Sequence, residues 1–247
     1  MVNSKICDFN FQISQWNIVC NKIISDKDWK LGEQHWYKNS HEWEDYSPKL
    51  AFLPALKRRR LSDSARLFFE AAWDIVEQDA DLPVVYASLN SEVNRSFALW
   101  KTLLQEGDIS PTSFSLSVHN ALIGQWSELC QVKNEVTSLT ARQDNLEIAL
   151  MEAYLLLNEG YSKVLVVIAE SPLYEQYNAK PVKRQPFSYA LAMVVEPGKQ
   201  YQLSLCSDLS NICTQDNALT WVKNQYLNQF QWKTESSTGG IWKWQKN

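Results

Sequence analysis

The stretch from Ser110 to Glu170 constrains the fold more than any other part of the chain. It opens on Ser110-Pro111-Thr112, which reads as a turn, and continues as an apolar segment ending at Gly124. Val136 to Thr140 is a short run with β-branched residues and alternating character. A helix is expected from about Asp144 to Asn158, with Gly160 as its stop. Val164 to Ala169 then reads Val-Leu-Val-Val-Ile-Ala. An uninterrupted apolar run of this kind marks a parallel strand covered on both faces. Strand, helix and buried strand together make one βαβ unit.

The flanking sequence extends the same alternation. Ile6 to Ile13 has apolar residues at Ile6, Phe9, Phe11 and Ile13 and reads as a strand. Asp26 to Tyr46 is polar and carries Trp29, Trp36 and Trp43. It reads as a loop with a short helix whose tryptophans fold back on the core. A helical stretch begins at Pro54, and a stronger one runs from Asp63 to Gln78 with Ala65, Phe68, Phe69, Ala72, Ile75 and Val76 at helical spacing. Val84 to Ser88 reads as a buried strand, and Ser91 to Glu106 as a helix stopped by Gly107. Pro172 to Pro186 is a polar loop. Phe187 to Val195 and Tyr201 to Leu205 read as two strands of a hairpin turning at Glu196-Pro197-Gly198. Asn217 to Phe230 reads as an amphipathic helix, and the tail from Gly239 through Ile241, Trp242 and Trp244 as a strand. No repeat, low-complexity tract or linker interrupts the 247 residues, so a single domain over 1–247 is expected, in an α/β class with a mixed sheet flanked by helices.

Composition excludes several classes. With 45% hydrophobic residues the chain can fill one large core. A formal charge of −4 argues against nucleic acid as the partner. No apolar run approaches the ~20 residues of a membrane span, and no secretory signal is visible near Met1. The five cysteines, Cys7, Cys20, Cys130, Cys206 and Cys213, show no Cys-x-x-Cys spacing. Reduced thiols, no metal, no cofactor and a cytoplasmic location are the expectation. Eleven tryptophans raise the prospect of a partner surface, because Trp serves both cores and interfaces.

The order of the central stretch resembles the middle of a β-ketoacyl synthase, a thiolase-fold condensing enzyme. In that family a Thr-Ala-Cys sequence ends a strand and places the Cys at a helix N-terminus. That position favours a thiolate and an oxyanion. Here the matching residues are Thr140-Ala141-Arg142, and arginine has no acyl-accepting thiol. Leu53 through Ser62, Ser110-Pro111-Thr112, Phe114 through Asn120, Glu170 through Leu173 and Tyr189 through Ala192 resemble one branch in particular. That branch is the short synthase-like chain-length factors of aryl polyene gene clusters. The resemblance implies a truncated condensing-enzyme fold, mainly its N-terminal half. The resemblance implies that the half supplying two catalytic histidines is not part of this chain, whose histidines are His35, His41 and His119.

The resemblance further implies a non-catalytic subunit that pairs with an active ketosynthase as a heterodimer and shapes its acyl tunnel. The segment before the nucleophile position would lie at the interface, making Phe114, Leu116, His119, Asn120, Ile123 and Trp126 the tunnel or interface candidates. Any of them could equally be core. Lys57-Arg58-Arg59-Arg60 is the strongest charge run and could dock the partner or an acidic acyl carrier protein, or stand as a solvated loop. Arg142 could pair with a carboxylate such as Asp144, plug a vestigial pocket, or face solvent. Two alternatives remain. One is a stand-alone thiolase-fold acyltransferase or hydrolase using Cys130 or a serine with His119. The other is a scaffold that only stabilises the synthase.

Overall fold

The computed structural model describes residues 5–76, 81–177, 185–207 and 215–247. In chain order the elements are β1 (Lys5–Cys20), α1 (Asp26–Leu31), α2 (Glu33–Asn39), α3 (Ala55–Arg58), α4 (Asp63–Val76), β2 (Val84–Ala87), α5 (Val93–Glu106), α6 (Pro111–Ser115), α7 (Ala121–Cys130), β3 (Val136–Leu139), α8 (Asn145–Asn158), β4 (Val164–Glu170), β5 (Tyr189–Cys206), α9 (Asn217–Tyr226), β6 (Gln231–Glu235) and β7 (Ile241–Lys246).

The strands form one seven-stranded mixed sheet in the order β3-β2-β4-β5-β7-β6, with β1 pairing β5 off this path. All seven residues of β4 are buried. Their side chains alternate between two cores. Val164, Val166 and Ile168 join the core shared with α8, α9 and β1. Leu165, Val167 and Ala169 join the core shared with α4 and α7. A strand covered on both faces has no polar face to present, which is why its sequence shows no alternation. The βαβ unit expected from 136 to 170 is present, and its two strands flank β2, each parallel to it.

Several expectations are corrected. The hairpin at Glu196-Pro197-Gly198 does not form. β5 is one strand of 18 residues whose first half pairs with β4 and whose second half pairs with β7. β1, 16 residues rather than the expected eight, runs antiparallel along both halves. Its register jumps from Gln12↔Glu196 to Phe11↔Tyr201, so residues 197–200 bulge from the ribbon. Pro197 has no N–H to give a ladder, and a Cβ on Gly198 would meet the Gln12 side chain 2.7 Å away. The long partner strand, from the far end of the sequence, turns what looks like a hairpin into a bulge.

Ser110-Pro111-Thr112 is not a free turn but the start of α6, with the Ser110 hydroxyl accepting from the Ser113 N–H and Pro111 at the first helical position. Gly124 does not end the apolar segment. It lies inside α7 on the solvent side, where a Cβ would meet nothing within 4 Å. The helix expected to reach Phe230 ends at Tyr226, and β6 begins at Gln231. Asp26 to Tyr46 holds two short helices, and Trp29 and Trp36 are buried as expected. Gln78 and Cys213 lie outside the described residues.

Candidate functional site

Parallel strands β3, β2 and β4 end at one edge of the sheet, where the following loops converge. In sheets of this kind the carboxyl ends of the strands are where ligand sites form. β4 ends there in Glu170, a fully buried carboxylate. It accepts hydrogen bonds from the backbone N–H of Leu89 and Asn90 after β2 and from Asn145 Nδ2 in the first turn of α8. Burial pushes its carboxyl up to about 8, against these bonds. One buried acid thus ties together the ends of β2, β4 and α8.

Thr140-Ala141-Arg142 occupies the turn from β3 into α8, with the Arg142 carbonyl accepting from Asn145 N–H at 3.2 Å. Its side chain is exposed and makes no ion pair among the described residues. Of the readings open for Arg142 it is the solvent-facing one that appears, because Asp144 faces the other way. It is buried against the C-terminal hairpin, accepting from Ser236 Oγ at 3.2 Å, Ser237 N–H at 3.0 Å and Trp242 Nε1 at 3.3 Å. One turn on, Glu147 accepts from Thr234 Oγ1 at 2.6 Å, Trp244 Nε1 at 3.0 Å and Asn217 Nδ2 at 3.1 Å. Burial pushes its carboxyl up to about 7. Acidic residues early in a helix match its dipole, and here they also lock β6 and β7 onto α8.

The six residues proposed between 114 and 126 separate into two groups. Ile123 and Trp126 are buried in this chain's own core, with Trp126 edge-on to Phe68 and Phe69 at centroid distances of 5.5 and 5.2 Å. That is the core reading, one of the two open for these residues. Phe114 and Asn120 are exposed, and Leu116 is half-buried. His119 stacks on Tyr86 and donates from Nε2 to the Leu139 carbonyl at 2.9 Å. Burial, partly offset by that bond, holds its pKa below the ordinary imidazole value. Tyr86 donates to Ser91 Oγ, which donates to the His119 carbonyl. Ser91 holds a φ of 39°, uncommon for a residue with a side chain.

Sequence reading missed the most exposed apolar feature. α5 buries none of its 14 residues, and Trp100 and Leu104 are 63% and 82% exposed. Phe97, Phe114 and Val118 are also exposed. Ser96 of α5 donates to the Ser117 carbonyl after α6, so these two elements adjoin, and His119 bonds the Leu139 end of β3. β3 itself is an edge strand with Val136 exposed. An open edge beside apolar side chains is a surface for pairing with another chain.

The basic run also divides. Lys57 pairs with Glu128 at 2.6 Å, and Arg58 donates to the carbonyls of Lys49 and Leu50. Arg59 and Arg60 are exposed on the wall of a cleft of about 610 Å³. No group of three or more potential metal ligands occurs among the described residues.

The family model for the beta-ketoacyl synthase N-terminal domain matches residues 33–245. The chain belongs to this family. Among solved structures, the fold is similar to a chain in the complex of the ketosynthase ApeO with its chain length factor ApeC from Xenorhabdus doucetiae. The TM-score is 0.78 at 22% identity, covering 96% of this chain and 100% of that one. The ishigamide ketosynthase/chain length factor gives 0.60 at 12% identity over 82% of this chain and 69% of its own. A beta-ketoacyl synthase from Burkholderia phymatum gives 0.55 at 14% identity over 90% and 71%. Comparison with curated proteins found no match. The shared feature is the thiolase-like fold of the synthase N-terminal domain, in which Arg142 stands at the strand-to-helix turn.

Proposed function

We propose that this chain is a non-catalytic chain-length factor that pairs with an active ketosynthase, in aryl polyene biosynthesis, and shapes the acyl tunnel of the pair. The observation that carries the reading is the uncovered apolar surface of α5, Phe114, Val118 and edge strand β3, next to a synthase-type turn that presents Arg142 instead of a thiol. The matched Xenorhabdus structure, a ketosynthase with its chain length factor, supports it by likeness.

Condensation needs a thiolate and groups that stabilise a carbanion. Arg142 supplies neither a thiol nor a leaving-group site. Cys130 does not replace it, since burial pushes its thiol up to about 12. It ends α7, whereas His119 precedes that helix, so about 15 Å of helix separates them. Cys130 and His119 therefore do not make a nucleophile and base, which weakens the cysteine form of the acyltransferase or hydrolase reading.

Within the heterodimer, Phe114 and Leu116 are the side chains of this segment placed to reach the partner, with His119 and Asn120 beside them. A bulky side chain at a tunnel's end limits the acyl chain that fits, because overfilling a packed cavity costs about 1–3 kcal/mol. Lys57 and Arg58 of the basic run are already engaged within the chain, which weakens the run as a whole as a carrier-protein dock. The test is product analysis of the reconstituted pair. Phe114→Ala and Leu116→Ala should lengthen or broaden the polyene distribution. An unchanged distribution with both variants, in an intact complex, would reduce the chain to a scaffold.

A further inference from the structure

We propose that the cleft between the N-terminal ends of α4 and α5 binds a small ligand that carries an anionic group and, a few atoms away, a cationic N–H donor. The anion is held by Arg59 and Arg60 and the donor by Glu92. The cleft, about 610 Å³, lies beyond the end of β4 at Ser171 and Pro172 and is of the size that small-ligand sites occupy. Both helices that open into it are 14 residues long, so each turns a positive dipole end toward it, although Ser62 caps the Ala65 N–H of α4 and the Asn90 carbonyl takes the Val93 N–H of α5.

Two independent features point to a ligand of mixed charge. Arg59 and Arg60 line the cleft, are exposed and make no ion pair among the described residues, whereas Lys57 and Arg58 of the same run are engaged. Glu92 is 4% exposed. Its Oε1 accepts from Ser62 Oγ, but its Oε2 is buried without a hydrogen bond among the described residues. A buried carboxylate oxygen left without a donor is costly, so a donor is what the site lacks. The nearest cation, Arg95 Nη1, stands 3.8 Å from that oxygen, too far to hydrogen-bond it. The same nitrogen donates to the Arg60 carbonyl at 3.3 Å, which places the acid beside the arginine pair. Of the other acids on the wall, Asp45 is taken by Lys22 at 2.7 Å, and Asp63 opens α4.

α5 forms one wall of this cleft and also carries the surface proposed for the ketosynthase, so the site is tested on the full chain alone, before any complex is formed. The probe is O-phosphoethanolamine, followed by calorimetry at low ionic strength, with inorganic phosphate and ethylamine as single-charge controls. The expected result is saturable one-to-one binding, tighter than either control, weakened at least about tenfold by the double variant Arg59→Ala/Arg60→Ala. Both arginines are exposed, so circular dichroism should show the fold unchanged. Glu92→Gln should remove the preference over inorganic phosphate while keeping phosphate binding. Absence of saturable binding up to ~20 mM, or equal affinity in the double arginine variant, would overturn the proposal. Binding of phosphate as tight as that of phosphoethanolamine would overturn the role given to Glu92. Binding of an acidic carrier protein that the probe does not compete would make the arginine pair a protein-docking edge instead.

Discussion

Trp126 and Phe114 sit twelve residues apart in sequence and do opposite things. Trp126 is wedged between α7 and α4 against two phenylalanines, and Phe114 stands 59% exposed on α6. Trp126→Ala should therefore lower unfolding stability by about 3–5 kcal/mol in a denaturant melt. Phe114→Ala should change it by less than about 0.5 kcal/mol. Equal effects would contradict the placement. No local feature of Phe114 through Trp126 reveals this split, because the sequence shows apolar residues but not the α4 surface that takes up some of them. Glu170 and Glu147 are buried acids and Asp216 a half-buried one, and desolvation pushes their carboxyls up to about 8, 7 and 6. The folded state then binds more protons than the unfolded chain, whose Asp and Glu titrate near pH 4. That contribution is complete below pH 4 and is lost as pH rises through about 6 to 8. The melting temperature should fall from pH 5.5 to pH 8.5, and the fall should shrink in Glu147→Gln.

Helix α8 is the element on which the others converge. Its core-facing residues were legible as a helical pattern, and β4 as an unbroken apolar run, because both signals are local. The lock on its first two turns was not legible. Asp144 and Glu147 look like ordinary surface acids until Trp242, Trp244, Thr234 and Ser236 arrive from nearly a hundred residues later. Asp144→Ala would leave the buried Trp242 Nε1 without its acceptor and remove the bonds from Ser236 Oγ and the part-buried Ser237 N–H, at about 1–3 kcal/mol for each buried group left unsatisfied. Hydrogen exchange should then show loss of protection in β6 and β7 ahead of β2 and β4. Uniform loss across the sheet would mean that the hairpin is held by its tryptophan packing alone. α5 was also read as a helix, and its boundaries hold to within two residues. What the sequence concealed is that its apolar stripe of Phe97, Trp100 and Leu104 faces outward, since an amphipathic pattern says that one face is to be covered and not by which chain.

At the scale of the whole molecule, the sheet is buried on both faces at β2 and β4 and open at the β3 edge, where the apolar surface of α5 and α6 lies. The fold class could be read from the chain because alternation of helices and strands is written in sequence. The β1–β5 ribbon could not, because its register joins opposite ends of the chain, from Cys20↔Tyr189 to Lys5↔Cys206. A monomer with this surface has an incentive to associate, and the same surface predicts that Trp100→Glu with Leu104→Glu blocks association while leaving the isolated chain folded. The measurement that bears most directly on the chain-length-factor reading is co-expression with an active ketosynthase from the same source, followed by size-exclusion chromatography with mass detection. A stable one-to-one heterodimer that the Trp100→Glu/Leu104→Glu variant fails to form is the predicted result. A well-behaved homodimer that ignores the synthase, or a heterodimer unaffected by the two substitutions, would contradict it.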